Sequence, residues 1–568
     1  MRLSVRMFRV VETVGAPSKL HLGGFITAIT LLCFSLSGCA VGPRYHKPSA
    51  SMPAAPNYKE SPINFQDAEG WKVASPQDAM LRGNWWEIFQ QPELNDLEQQ
   101  LNINNQNIKV FFENYLAARA QIREAHAQYY PTVSVGAGVT RSRSSSNTGS
   151  GTAGTGGTSN SGGDITEFST PVDISWAPDL FGRVRNTVRE FQAAAQVSAA
   201  DLENERLLEQ ATLAETYFQI RGQDELQRVL NATVQADEEL VKLAQARYDT
   251  GTDTEVSVQQ AIQTLESARA AATNVGIARA QYEHAIATLL GKTATDFTIP
   301  VRPLLVQPPA IPTGTPSQLL ERRPDIAAAE RQMASANAVI GIGYAAFYPS
   351  LTLSASGGFA SSAISKLFNA SSRVWSIGPS VSETVFDAGL RRATIEQYIA
   401  TYNADVANYR QTVLTAFQQV EDYLAQTRLL WQEIKQEQAA VEAAQQAYDL
   451  EKARYETGID PYLNLLTTQT ALLNTQQTLT NLNVQQMTGA VLLVEALGGG
   501  WMFPNCLLPR RCRKSRQRFN VRLRSRICQR TEHNGTCAAL DGVPLPPIHA
   551  SIRIIKLATI PCQSLERQ

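Results

Sequence analysis

The most constraining feature of this chain is a plan written twice. The phrase "ARYDTG", Ala246 to Gly251, returns 207 residues later as "ARYETG", Ala453 to Gly458. Each copy closes a run of some 65–70 residues without proline. The two runs begin just after glycines, Gly182 in "DLFGRVR" and Gly389 in "VFDAGLRR", that are again 207 apart. Runs of this length at ~1.5 Å per residue predict helices about 100 Å long, far beyond an ordinary globular helix. In the second, Ile399, Tyr402, Val406, Tyr409, Val413, Ala416, Val420 and Tyr423 follow one another at gaps of three and four. That spacing is a coiled-coil seam. After each "TG" a shorter helical stretch returns, so Gly251 and Gly458 read as the tips of two helical hairpins.

Ahead of each long helix lies a pair of alternating stretches. Residues 129–140, "YYPTVSVGAGVT", put Val133, Val135, Ala137 and Val139 on one face and Thr132, Ser134, Gly136 and Thr140 on the other. Residues 347–359 repeat the pattern with Leu351, Leu353 and Ala355. "FSTPVDISW" and "RVWSIGPSVS" supply the partners, with Phe168, Thr170, Val172, Ile174 and Trp176, and then Trp375, Ile377 and Val381, along their apolar sides. This is period-two strand writing. The strands have a length that suits an outer-membrane barrel wall with small polar residues facing the lumen. Four strands cannot close a membrane barrel, and open edges are not tolerated in lipid. The chain is therefore expected to share one barrel with copies of itself, with the long helices extending the tube.

The organisation that follows has six parts. Residues 1–38 hold Arg2, Arg6, Arg9 and Lys19 ahead of an apolar run, the pattern of a secretory signal. Residues 39–90 form an N-terminal segment, 91–298 a first repeat, 299–316 a proline-rich linker and 317–502 a second repeat. Residues 503–568 carry 13 Lys+Arg against 3 Asp+Glu, five of the seven cysteines, and a composition unlike the helix before them. That tail reads as disordered or as the product of a frameshift. Residues 39–502 hold 34 basic against 48 acidic residues, which gives no support for a nucleic-acid partner. No cysteine lies between 40 and 505, and the six histidines form no ligand pair at helical spacing, so neither a metal nor a cofactor is implied. "GKT" at 291–293 lacks the rest of a phosphate-binding loop, and "GIGYAA" at 341–346 follows a helical stretch rather than a strand. An enzyme is not indicated.

The ending "LSGC" at 36–39 resembles a bacterial lipobox, and "NWWEIFQQPELNDL" at 84–97, "LLERRPDIAAAE" at 319–330, the paired "RYxTG" tips and the closing "LVEALGGGW" at 493–501 resemble the outer membrane efflux lipoproteins, the NodT-type branch of the TolC-like family. The resemblance covers the chain from Cys39 to about Trp501. It implies cleavage before Cys39 with lipid attached there, and, since Ala40 is not an aspartate, delivery to the outer membrane of a Gram-negative bacterium. It implies a mainly α fold with a membrane β-barrel: a homotrimer with twelve strands, four per chain, above an α-helical periplasmic tunnel. It also implies a passive channel that docks a periplasmic adaptor protein and an inner-membrane transporter of the resistance-nodulation-division class. On that pattern Arg247, Tyr248, Gly251, Arg454, Tyr455 and Gly458 belong to the tips and the adaptor contact. The periplasmic mouth falls near Asp253, Glu255, Asp460 and Asn464. Where the family often carries aspartates after the tip, this chain has Asn464 and Thr467, and Ser257 in the first half. The competing reading is a periplasmic coiled-coil structural or adaptor lipoprotein without a pore, which leaves the two membrane-length hairpins without a purpose.

Overall fold

A computed structural model describes residues 41–48, 59, 83–143, 164–304, 308–309, 311 and 322–499. All of these lie in one compact unit, Met1–Trp501; the second unit, Met502–Gln568, lies outside the described residues, as do Cys39 and the signal-like start.

A short 3-10 turn, Trp85–Phe89, leads into α1 (Pro92–Asn104) and α2 (Gln106–Ala127). The first strands are β1 (Thr132–Val135), β2 (Gly138–Arg143) and β3 (Asp164–Trp176), followed by α3 (Arg183–Asp249) and α4 (Glu255–Leu289). The second half holds α5 (Pro324–Ala345), β4 (Ser350–Ser361), β5 (Arg373–Ser382), α6 (Leu390–Glu456) and α7 (Tyr462–Ala496). Helices α3 and α6 are both 67 residues long, α4 and α7 both 35, and each boundary recurs at an offset of 207.

The long helices hold because each finds partners along its length. On α6 the seam residues Tyr409, Val413, Ala416 and Val420 are buried against Ile326 and Met333 of α5, Leu493 and Ala496 of α7, and Leu497 just past its end. Residues Trp85, Trp86 and Phe89 wedge among Leu213, Tyr217 and Phe218 of α3, Ile286 of α4 and Met487, Val491 and Val494 of α7. The "NWWEIF" segment is thus a core piece that joins both halves. Burial of side chains this size is worth roughly 1.5–3 kcal/mol each. At Gly222 α3 comes so close to α7 that an added Cβ would stand 2.2 Å from Cγ2 of Val484.

The strands form one antiparallel sheet in the order β1/β2, β3, β4, β5. The sequence predicts a single first strand over 129–140; the structure divides it between Val135 and Gly138. Pro171 is the physical reason. It sits level with Gly136, whose N–H donates to its carbonyl at 2.9 Å, but proline has no N–H to give back. The register is unbroken across the gap, Val135 facing Val172 and Gly138 facing Ser169. The sheet's two faces divide by chemistry. One carries Val133, Val135, Val139, Val172, Ile174, Trp176, Leu353, Trp375, Ile377 and Val381, all exposed in the single chain. The other carries mainly serines, threonines and glycines of the same strands, with Asp173 among them and Ile165 and Val374 toward the end away from the helices. β1/β2 and β5 are left as free edges. No described helix is long and apolar enough to cross a membrane.

Candidate functional site: twin helical tips below an open sheet

Both hairpins turn by one motif. At the first, the Gly251 N–H donates to the Tyr248 carbonyl (2.9 Å) and the Thr252 N–H to the Arg247 carbonyl (2.9 Å). At the second, Gly458 and Ile459 repeat the pattern on Tyr455 and Arg454. This is the Schellman arrangement, which needs a left-handed residue. Gly251 (φ 73°) and Gly458 (φ 80°) provide it.

The side chains then break the symmetry. Arg247 reaches across to the second tip, donates to the Tyr455 carbonyl and lies over the Tyr455 ring at 4.8 Å. The Tyr455 hydroxyl donates to Asp253 at 3.1 Å, and its ring meets Tyr462 edge-on at 5.6 Å. Asp253 also accepts from the Ser257 hydroxyl (2.7 Å) and the Thr254 N–H (2.7 Å), with Arg247 at 3.7 Å. Burial would raise the Asp253 carboxyl, but these hydrogen bonds and Arg247 outweigh it and hold it below its ordinary value. Burial, and after it Asp253, push the Tyr455 hydroxyl up, so it stays a donor. Arg454, the repeat-mate of Arg247, remains in its own hairpin and pairs with Asp460, the repeat-mate of Asp253. Its side chain is 54% exposed, and Tyr248, the repeat-mate of buried Tyr455, is 42% exposed.

The structure therefore gathers Arg247, Tyr455, Gly458 and Asp253 into one cluster and leaves Tyr248, Arg454 and Asp460 on its outside. Glu255 is exposed at the start of α4, and Asn464 is exposed on the first turn of α7. Sequence reading overlooked Tyr462, whose signal was weak, since its repeat-mate is Glu255. It also overlooked Asp237, buried on α3, which accepts from Gln469 of α7 deeper in the bundle; a lone aspartate in a long helix gives no sign of burial.

At the other end of the long helices, Gly182 (φ 80°) and Gly389 (φ 91°) turn strand into helix. Asp179 accepts from the N–H groups of Val184 (3.1 Å) and Arg185 (2.9 Å), and Asp387 does the same for Gly389 (3.1 Å) and Arg391 (3.3 Å). Beside the first turn, Phe181 stacks on Tyr348, ring centres 4.7 Å apart.

A family model described as outer membrane efflux protein matches residues 97–292 and 315–499, the two repeats almost in full. The chain belongs to that family. Membership makes it a transport protein rather than an enzyme. Among similar members, the probable efflux pump outer membrane protein TtgC of Pseudomonas putida is 30% identical over 478 residues, 84% of this chain and 96% of that one. The outer membrane protein OprJ of Pseudomonas aeruginosa is 31% identical over 492 residues, with the same coverage. The fold is that of the outer-membrane channel OprN, with a TM-score of 0.70 at 27% identity over 82% of this chain and all of that one. The open-state channel MtrE of Neisseria gonorrhoeae (TM-score 0.67, 24% identity) shares the fold.

Proposed function

We propose that three copies of this efflux-family chain close one twelve-stranded barrel in the outer membrane and continue it as a helical tunnel into the periplasm. The tunnel passes toxic small molecules outward without an energy source of its own. The observation that carries this is the open sheet: one face apolar and exposed, the other small and polar, and two unpaired edges. Lipid tolerates no such edge, and four strands do not close. Three copies bring twelve strands and remove every edge. The six helical tips then gather at the periplasmic mouth, where Arg247, Tyr455 and Asp253 lock each pair of hairpins and Glu255, Asn464 and Asp460 surround them. An adaptor protein and an inner-membrane pump of the resistance-nodulation-division class dock there and supply the energy. Relatives named for toluene and antibiotic efflux support apolar drugs and solvents as cargo. The "LSGC" ending at Cys39 supports a lipid anchor and the NodT-type branch.

The test is the purified full-length chain in a planar bilayer. Stepwise conductance from a heat-modifiable trimer, with added sensitivity to solvents and antibiotics on gene deletion, is the expected result. A monomer that leaves the membrane once the anchor is removed overturns the reading.

A further inference from the structure

The open sheet contains enough information to set the register in which one copy joins the next. We propose that β5 of one copy pairs with β1/β2 of a second copy so that Ile377 faces Val139, Trp375 faces Arg141, Val381 faces Val135 and Ser382 faces Ser134. Phe386 then comes level with Tyr130 below the sheet. The proposal rests on the shared-barrel reading and adds to it the seam itself.

Three constraints meet at this register. The first is the face. In an antiparallel pair, residues directly opposite share a face. The apolar side of β5 carries Trp375, Ile377 and Val381, and that of β1/β2 carries Val133, Val135 and Val139. Only registers that oppose odd-numbered residues keep the apolar face continuous across the seam; a slip of one residue puts serine into lipid.

The second is closure. Within one chain, the row that starts on Val133 runs through Ile174 and Ala355 to Ile377. In the proposed register it continues onto Val139 of the next copy, six residues further up the first strand. The stagger accumulated around a barrel sets its strand tilt. With ~3.3 Å per residue and ~4.8 Å between strands, twelve strands climbing six residues per chain tilt by about 46°. Four per chain (Ile377 facing Ala137) gives about 35°, and eight (Ile377 facing Arg141) about 54°. Membrane barrels tilt by about 35–45°, which disfavours eight. Rows descending by similar amounts leave β5 with no strand opposite.

The third constraint is aromatic and separates four from six. At the chain's own seam, Trp176 faces Leu353. Five residues along the chain from each, past the strand ends toward the helices, Phe181 and Tyr348 stack with ring centres 4.7 Å apart and planes 20° apart. The open seam holds the same two ring types without partners: Phe386 is 85% exposed and Tyr130, which like Tyr348 precedes a proline at a strand start, is 71% exposed. Six residues per chain brings Phe386 level with Tyr130. Four brings Thr384 there, and eight brings Ala388. Ala388 stands one residue before the turn glycine, as Phe181 does, but it has no ring and a left-handed backbone (φ 51°). The aromatic has moved two places along, and the register moves with it. Arg373 meets Arg143 in the proposed register; Asp164, 3.9 Å from Arg143 and 2.9 Å from Arg141, already offsets that charge.

Disulfide trapping in outer-membrane fractions decides the register. The full-length chain, with Cys506, Cys512, Cys528, Cys537 and Cys562 changed to serine and Cys39 kept, carries Ile377→Cys together with Val139→Cys, Ala137→Cys or Arg141→Cys. On oxidation, V139C/I377C is expected to give covalent dimers and trimers fastest, while each single variant stays monomeric on a denaturing gel. Faster linking of A137C/I377C or R141C/I377C overturns the register and leaves the shared barrel standing. So does a native trimer in which none of the three pairs links. A native monomer overturns both. Phe386→Ala and Tyr130→Ala are each expected to lower the temperature at which the trimer dissociates, and the double variant to lower it no further. Additive losses show that the two rings do not meet.

Discussion

Arg247 and Arg454 hold the same place in the two copies of the plan, yet only Arg247 crosses between hairpins. Removing it takes away a hydrogen bond to the Tyr455 carbonyl and a cation–π contact, together on the order of 2 kcal/mol at a partly buried site. Arg247→Ala is expected to raise the hydrogen-exchange rate of the Tyr455–Asp460 amides by about tenfold or more. The same change at Arg454, which is half exposed and pairs within its own hairpin, is expected to leave the first tip's exchange unchanged; equal effects at both residues would sink the asymmetry. A second residue-scale expectation concerns Glu215 on α3. Burial, then Glu495 of α7 close by, push its carboxyl up to about 7. Glu495 is itself raised, by burial first and with Asp325 adding, against Arg323; Tyr423 of α6 also faces the pair. A raised carboxyl binds its proton more tightly folded than unfolded. Its favourable contribution is complete below the unfolded value of 4.5 and is lost as pH rises through about 7. Glu215→Gln is therefore expected to match the wild type near pH 4 and to gain about 1–2 kcal/mol by pH 8, solvent screening allowed for. Paired thermal melts at the two pH values read the difference, and a gain equal at both would refute it.

At the scale of elements, the joint between the first hairpin and the chain that follows it is ionic. Asp224 is fully buried and accepts from Arg221 (3.0 Å), Arg279 (2.8 Å) and the Arg302 N–H (2.9 Å). Arg221 also reaches Glu93 of α1 and the Pro300 carbonyl, both at 2.6 Å. One carboxylate thus fastens α1, α3, α4 and the first linker residues. Asp224→Ala leaves Arg221 with Glu93 and Arg279 with Glu283 but removes the carboxylate they share, and is expected to cost about 1.5–3 kcal/mol, read as a clear fall in melting temperature. Gly222→Ala, forced against Val484, is expected to cost about 1–3 kcal/mol, and Val484→Ala in the same chain to recover part of it. The long helices, their glycine turns and the alternating strands were legible in the sequence because each rests on local chemistry: period, proline-free length, a residue able to take positive φ. The break in the first strand was not, because it depends on Pro171 of a different strand standing opposite Gly136. Nor was the tip network. Repeat-mates such as Tyr248 and Tyr455 are identical in letter, and only the packing of one hairpin on the other decides which is buried.

For the whole molecule the sheet's two faces make opposite demands, and substitutions at neighbouring positions of one strand separate them. Ile377 and Gly378 lie near the middle of β5, between Arg373 and Ser382, on opposite faces. In the barrel reading Ile377 meets hydrocarbon and Gly378 meets the water-filled lumen. A lysine at 377 near the bilayer midplane costs about 2–4 kcal/mol per chain, and a trimer bears that cost three times. Ile377→Lys is expected to deplete the trimer from outer-membrane fractions. Gly378→Lys adds the same charge where water solvates it, so the trimer is expected to assemble in normal amount. Its three new positive charges ring the lumen at one height, which shifts selectivity toward anions. Reversal potentials in a salt gradient across a planar bilayer measure that shift. The pair is informative because the two positions differ by one residue and carry the same substitution. Any account of β5 as a soluble strand, or as part of a helical adaptor without a pore, predicts similar tolerance at both and no change in ion preference at either.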